Sequence, residues 1–185
     1  FISYNLKLEY QVICKSNEIK NYDKIILPGT GSFKNAIFEM ESKNFRSEIL
    51  RHCQKKKYFL GICLGMQVLF SNGYEGGSIT NGLNLIEGEV IKLISNKNPI
   101  IHIGWNEISS NDNIPILKDI TEEENFYFMH GYHAKTSEGI KKSYTIFKGQ
   151  KILSVLNKDN VYGIQFHPEK SHIPGKKILK NFYNL

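Results

Sequence analysis

The chain is poor in cysteine, and the three it has, Cys14, Cys53 and Cys63, are an odd number with no local pairing pattern. That excludes a disulfide framework as the basis of the fold and points to a reducing cytoplasm as its setting. Long apolar runs are also missing. None reaches the roughly 18 residues that a membrane-spanning helix needs, and the opening residues do not read as a signal peptide. There is no internal repeat, low-complexity tract or linker. The glycine-rich turn at 28–33 lacks the lysine of a phosphate-binding loop. Positive charge is in excess, with 24 Lys and Arg against 18 Asp and Glu and a net charge of +6. The lysines are scattered, however, and the tight run at 55–57 closes a helix, where cations suit the dipole. Neither nucleic acid nor a membrane is therefore expected as a partner.

What is present suits one globular domain over residues 1–185, with 41% hydrophobic and 23% charged residues. Residues 10–14 (YQVIC) and 24–27 (KIIL) are strand candidates, apolar and β-branched as buried parallel strands tend to be. Between 34 and 54 apolar residues recur at helical spacing. Residues 58–62 (YFLGI) read as a third strand and 64–71 as a helix. That alternation predicts a doubly wound sheet. The second half changes character: 83–93, 101–108, 125–135, 144–147, 152–156 and 161–166 are closely spaced strand candidates, punctuated by Gly, Asn and Asp. A helix is expected over 174–185. The expected fold is α/β, an open, mixed, mostly parallel sheet flanked by helices, with antiparallel strands in the second half.

The sharpest chemical signal is GICLGMQ at 61–67. It sets Cys63 between two glycines, after a buried strand and at the start of a helix, as in a nucleophile elbow. A helix N-terminus favours a thiolate there, and the Leu64 amide would meet a developing oxyanion. Cys14 and Cys53 read as buried small hydrophobes. A cysteine nucleophile needs a base and a group to orient it. His167 follows an apolar strand that Pro168 stops, and Glu169 lies close enough to turn back onto the imidazole. The loop at 28–33 follows the second strand, on the edge where parallel sheets gather ligands. Its glycines permit a backbone flip that aims an amide, of Thr30 or Gly31, at the oxyanion. The other histidines read plainly: His52 on a helix surface, His102 at a strand start, His130 and His133 on opposite faces of a strand. No metal and no cofactor is expected.

Six segments together, LPGTGSF (27–33), GICLGMQ (61–67), GLNLIEGEV (82–90), HIGWNEI (102–108), FYFMHGY (126–132) and GIQFHPEKSH (163–172), resemble the class I glutamine amidotransferases. The finer resemblance is to the HisH type, the glutaminase subunits of imidazole glycerol phosphate synthases. It implies a flavodoxin-like fold and a glutamyl thioester on Cys63, with His167 as acid and base and Glu169 behind it. It implies that Gly29, Gln67 and the backbone of Gly131 and Tyr132 hold the substrate L-glutamine. It also implies a heterodimer with a HisF-type (β/α)8 synthase that receives the ammonia, with Trp105, Tyr127 and Lys170 facing that partner. By the same likeness, residues 1–8 would be the tail of a first helix whose start, with a preceding strand, is absent. Gly131, His172 and Thr30 stand where the family usually has Ser, Gln and Val. Three other readings share parts of the pattern: a paralogous glutaminase serving surface-sugar amidation, a cysteine peptidase of the same superfamily, and an inactive binding module.

Overall fold

The computed structural model describes residues 8–110 and 112–185, so the helix tail expected over 1–8 lies, apart from Leu8, outside the described residues. A 3-10 turn over Ser16–Asn21 leads into β1 (Lys24–Leu27), then α1 (Phe33–Ser42), α2 (Phe45–Gln54), β2 (Tyr58–Ile62) and the one-turn helix α3 (Leu64–Gln67). There follow β3 (Phe70–Glu75), β4 (Ser78–Asn81), β5 (Ile86–Lys92), the two-residue strands β6 (Ile94–Ser95) and β7 (Asn98–Pro99), β8 (His102–Glu107) and β9 (Ser109–Ser110). The chain ends with β10 (Asn125–His130), β11 (Tyr132–Lys135), β12 (Lys141–Phe147), β13 (Gln150–Lys158), β14 (Val161–Ile164) and α4 (His172–Tyr183).

The main sheet runs in the order β1, β2, β14, β13, β12, β9. β2 is parallel to both its neighbours, with Leu27 beside Gly61 on one side and Ile164 beside Ile62 on the other. From β14 outward the pairing is antiparallel. Its hairpins turn at Lys148, Gly149 and Asp159, all with positive φ. Successive β2 residues face opposite cores, as strand geometry requires. Phe59 packs with Phe33, Met66 and Phe70 under α1 and α2, whereas Leu60 packs with Phe126, Phe166 and Phe182 under α4. A smaller sheet, β11, β5, β3, β4, and the β8–β10 ribbon flank this body.

The α/β class and the mixed sheet match the expectation, and several details do not. Parallel pairing in the main sheet is confined to β1, β2 and β14 among the described residues, because hairpin connections force antiparallel neighbours. Residues 10–14 form no strand: Tyr10 and Val12 stand exposed and only Ile13 packs on the core. The helical pattern over 34–54 is two helices, broken where Asn44 adopts φ 59°. The helix expected over 64–71 stops after one turn, and Phe70 begins a strand. Residues 125–135 divide at Gly131 between two sheets. His52 is on a helix but buried rather than on its surface, with Nε2 3.0 Å from the Tyr58 carbonyl.

Candidate active site

The sharp turn after β2 is where the local sequence departs most from regular structure. Cys63 has φ 54° and ψ −108°, a conformation that costs a non-glycine residue on the order of 1–3 kcal/mol. Neighbours hold it there. The Cys63 amide donates to the Ile164 carbonyl at 2.8 Å, and the Met66 and Gln67 amides both donate to the Cys63 carbonyl at 3.1 Å. The flanking glycines are required by close approach. A Cβ on Gly65 would collide with the Leu27 carbonyl oxygen, and one on Gly61 with the carbonyl of Gly65. The elbow therefore sits tight against β1 and β2, and the first amides of α3, beginning with Leu64, have no partner within the helix.

His167 and Glu169 come to the same edge because β14 lies beside β2 in parallel register. The residue after each strand end thus falls next to the other: Gln165 donates from Nε2 to the Cys63 Sγ at 3.6 Å. Two residues on, the His167 amide donates to the Tyr127 carbonyl at 2.8 Å. A 3-10 turn over Pro168–Lys170 then swings Glu169 back, and its Oε1 lies 2.7 Å from His167 Nδ1. A carboxylate only accepts, so Nδ1 carries a hydrogen. His167 Nε2 is buried with no hydrogen-bond partner among the described residues. The neighbouring Cys63 is the strongest influence on this imidazole, followed by Glu169, and together they raise its pKa to about 9 against the opposing effect of burial. Burial would raise the Glu169 pKa, but the hydrogen bond from His167 and the nearby cations hold it below the usual range.

The loop at 28–33 packs onto this elbow. A Cβ on Gly29 would stand 3.0 Å from Leu64 Cβ and 3.1 Å from the Gly65 amide nitrogen. Thr30 and Gly31 are exposed beyond it, Gly31 with φ 105°. Gln67 lies on the same side and donates to the Tyr132 carbonyl and to Gln165 Oε1, each at 3.0 Å. Gly131, next to Tyr132, does not have positive φ and has room for a side chain, with no atom nearer than 3.9 Å to a Cβ built there. A short way off, Trp105 and Tyr127 pair across β8 and β10 with rings 5.6 Å apart. The Lys170 Nζ sits 5.4 Å from the Tyr127 ring. So the three residues expected to face a partner lie together, and His172, unassigned from sequence, stacks on Trp105 at 4.9 Å.

A sequence model of the family described as "Glutamine amidotransferase class-I" matches residues 3–185. The chain belongs to the class I glutamine amidotransferases. The imidazole glycerol phosphate synthase subunit HisH of Caldanaerobacter subterraneus subsp. tengcongensis is 41% identical over 182 residues, which cover 98% of this chain and 87% of that one. The HisH subunit of Methanocaldococcus jannaschii is 40% identical over 170 residues, 92% of this chain and 84% of that one. Solved structures share the fold at low identity. The glutaminase domain of Trypanosoma brucei CTPS with bound acivicin superposes with a TM-score of 0.65 at 14% identity, covering 97% of this chain and 82% of that one.

Within this candidate site, two side chains escaped the sequence reading. Gln165 touches both Sγ and Gln67. Ser171 donates to the His167 carbonyl at 2.6 Å and accepts from the Tyr127 amide at 3.0 Å, pinning the turn that carries Glu169. Both lie inside the 163–172 segment, but only the register between β2 and β14 shows what Gln165 reaches. His130 and His133 are both buried and fall on separate strands, β10 and β11. A cavity of about 640 Å³, lined among others by Glu87, Glu89, Lys135 and Lys151, opens elsewhere, and none of the site residues lines it.

Proposed function

We propose that Cys63, His167 and Glu169 hydrolyse L-glutamine to glutamate and ammonia. The Cys63 thiolate attacks the carboxamide carbon, and a carbon–sulfur bond forms. The oxyanion is met by the Leu64 amide and by the flipped amide of Thr30 or Gly31. His167 gives its Nε2 proton to the departing nitrogen, the carbon–nitrogen bond breaks, and ammonia leaves a glutamyl thioester. The imidazole then takes a proton from water, which attacks the thioester. Glutamate departs, restoring thiolate and imidazolium, while Glu169 keeps the ring oriented throughout. Gly29 and Gln67 help hold the substrate glutamine, and the backbone at Gly131 and Tyr132 binds its amino-acid end.

The chain is the HisH-type glutaminase subunit of an imidazole glycerol phosphate synthase and serves histidine biosynthesis. Its ammonia goes to a HisF-type (β/α)8 synthase subunit that docks on Trp105, Tyr127 and Lys170. The observation that carries the chemistry is the meeting of Sγ, an unpartnered buried His167 Nε2 and a carboxylate at one sheet edge. The pathway is favoured over surface-sugar amidation by relatives from several organisms, named HisH subunits, at 35–41% identity over most of their length. Cys63→Ala and His167→Ala are each expected to lower glutamine turnover by about 10³-fold or more with the fold intact by circular dichroism. Near-normal turnover in either variant would remove the mechanism. Imidazole glycerol phosphate formed from glutamine by the reconstituted pair is the pathway test.

A further inference from the structure

Two buried histidines have no place in the chemistry above. His102 is 0% exposed and His130 6%. The His102 ring lies stacked between Phe128 and Phe147, with centroids 4.4 and 4.0 Å away and interplanar angles of 12° and 17°. A phenylalanine would fill that slot, so packing alone does not call for a histidine. Burying its nitrogens is unfavourable unless each finds a partner. Each does. His102 Nε2 is 2.7 Å from Asn106 Nδ2, His102 Nδ1 is 3.1 Å from His130 Nε2, and His130 Nδ1 is 2.8 Å from the Tyr132 carbonyl.

These contacts admit one arrangement of protons. A carbonyl only accepts, so His130 donates from Nδ1. Burial keeps both rings neutral, pushing the His130 pKa down to about 3 and that of His102 to about 4. A neutral imidazole has one donor, so His130 accepts at Nε2 and His102 donates from Nδ1. His102 in turn accepts at Nε2 from the Asn106 carboxamide. The line continues past Tyr132. Its carbonyl also accepts from Gln67, Gln67 donates again to Gln165, and Gln165 donates to the Cys63 sulfur. Hydrogen bonds thus run unbroken from the β8–β10 ribbon to the Cys63 sulfur, and every ring and amide nitrogen along the line has a partner, which favours a rigid network.

We propose that His102 and His130 are positioning residues of the glutamine site: they hold the Tyr132 carbonyl that Gln67 binds, and tie its position to Asn106, the neighbour of Trp105 on the partner-facing ribbon. The relay rests on the glutaminase reading of the site. Its test uses the full chain with its synthase subunit, as wild type, His130→Leu, His130→Asn and His102→Phe. His130→Leu removes both nitrogens and raises the KM for glutamine about tenfold with a smaller change in kcat, the loss expected for one hydrogen bond to a binding group. His130→Asn, which keeps a donor where Nδ1 stood, brings KM back to within about threefold of wild type. His102→Phe retains the stacked ring, orphans His130 Nε2 and raises KM about threefold. Activity that falls only with the folded fraction, at unchanged KM, overturns the relay. Should His130→Leu not fold, an unmoved KM in His102→Phe overturns it alone. A wild-type chain that hydrolyses no glutamine overturns the function and the relay with it, whereas wild-type turnover beside unmoved variant KM values overturns the relay only.

Discussion

His167 is buried, which by itself would strip its proton, yet Cys63 and Glu169 raise its pKa to about 9. Because the folded value lies above the ordinary value of 6.5, the proton is bound through neutral pH. The stability gained from the pairing is complete below the unfolded pKa and is lost as pH rises through about 9. In the proposed mechanism, loss of that proton also removes the acid that ammonia needs to leave. Glutamine turnover, kcat/KM, is therefore expected to fall as pH rises through about 9. In Glu169→Gln the falling limb moves to lower pH, since the carboxylate's share of the shift is gone and that of Cys63 remains. A limb that stays in place in Glu169→Gln would remove Glu169 from its role behind the imidazole. The other thiols offer no rival: burial pushes Cys53 up to about 12, and Cys14, expected to be buried, is instead exposed on a segment outside the sheet.

The elbow is an element in which backbone meets backbone. Gly65 lies against the Leu27 carbonyl so closely that no Cβ fits. Overpacking of this kind costs about 1–3 kcal/mol, and in a chain of this size Gly65→Ala is expected to lower Tm by about 3–10 °C. Gly131→Ala is the control, because nothing lies within 3.9 Å of the added carbon and the backbone there is not left-handed. Equal Tm values for the two variants, measured by thermal unfolding, would show that the elbow does not rest on β1. Elements of this length were the least legible in the sequence. Apolar residues recur across 34–54 as one pattern, but Asn44 breaks the run, and a glycine-flanked turn gave no sign that α3 would stop after Gln67. Short helices are held by tertiary packing more than by propensity.

At the scale of the molecule, the β8–β10 ribbon turns apolar side chains outward beside the site. Ile103 is 58% exposed, Trp105 43% and Met129 38%, with Ile173 nearby at 67%. A patch of this kind next to Tyr127 and Lys170 suits the proposed docking of a synthase subunit. Ile103→Glu is expected to weaken that association at least about tenfold in a binding titration, because an interface core disfavours an unpaired charge. Its own Tm should stay within about 2 °C of wild type, as for surface changes generally. A dissociation constant within twofold of wild type would move the interface elsewhere. The same variant should leave the glutamine turnover of the isolated chain unchanged.

The class of fold and the family were legible in the chain, and so were the residues proposed as nucleophile and base, because these signals are written in contiguous residues: a glycine-flanked cysteine after an apolar strand, and a His-Pro-Glu turn after another. What remained hidden were relations between distant segments. The register that sets Gln165 beside Cys63, the line from Asn106 through His102 and His130 to Tyr132, and the burial of His52 depend on which strands become neighbours. Strand pairing is chosen by the packing of the two cores on either side of β2, and hydrogen-bond partners and pKa values follow from that packing rather than from any local pattern.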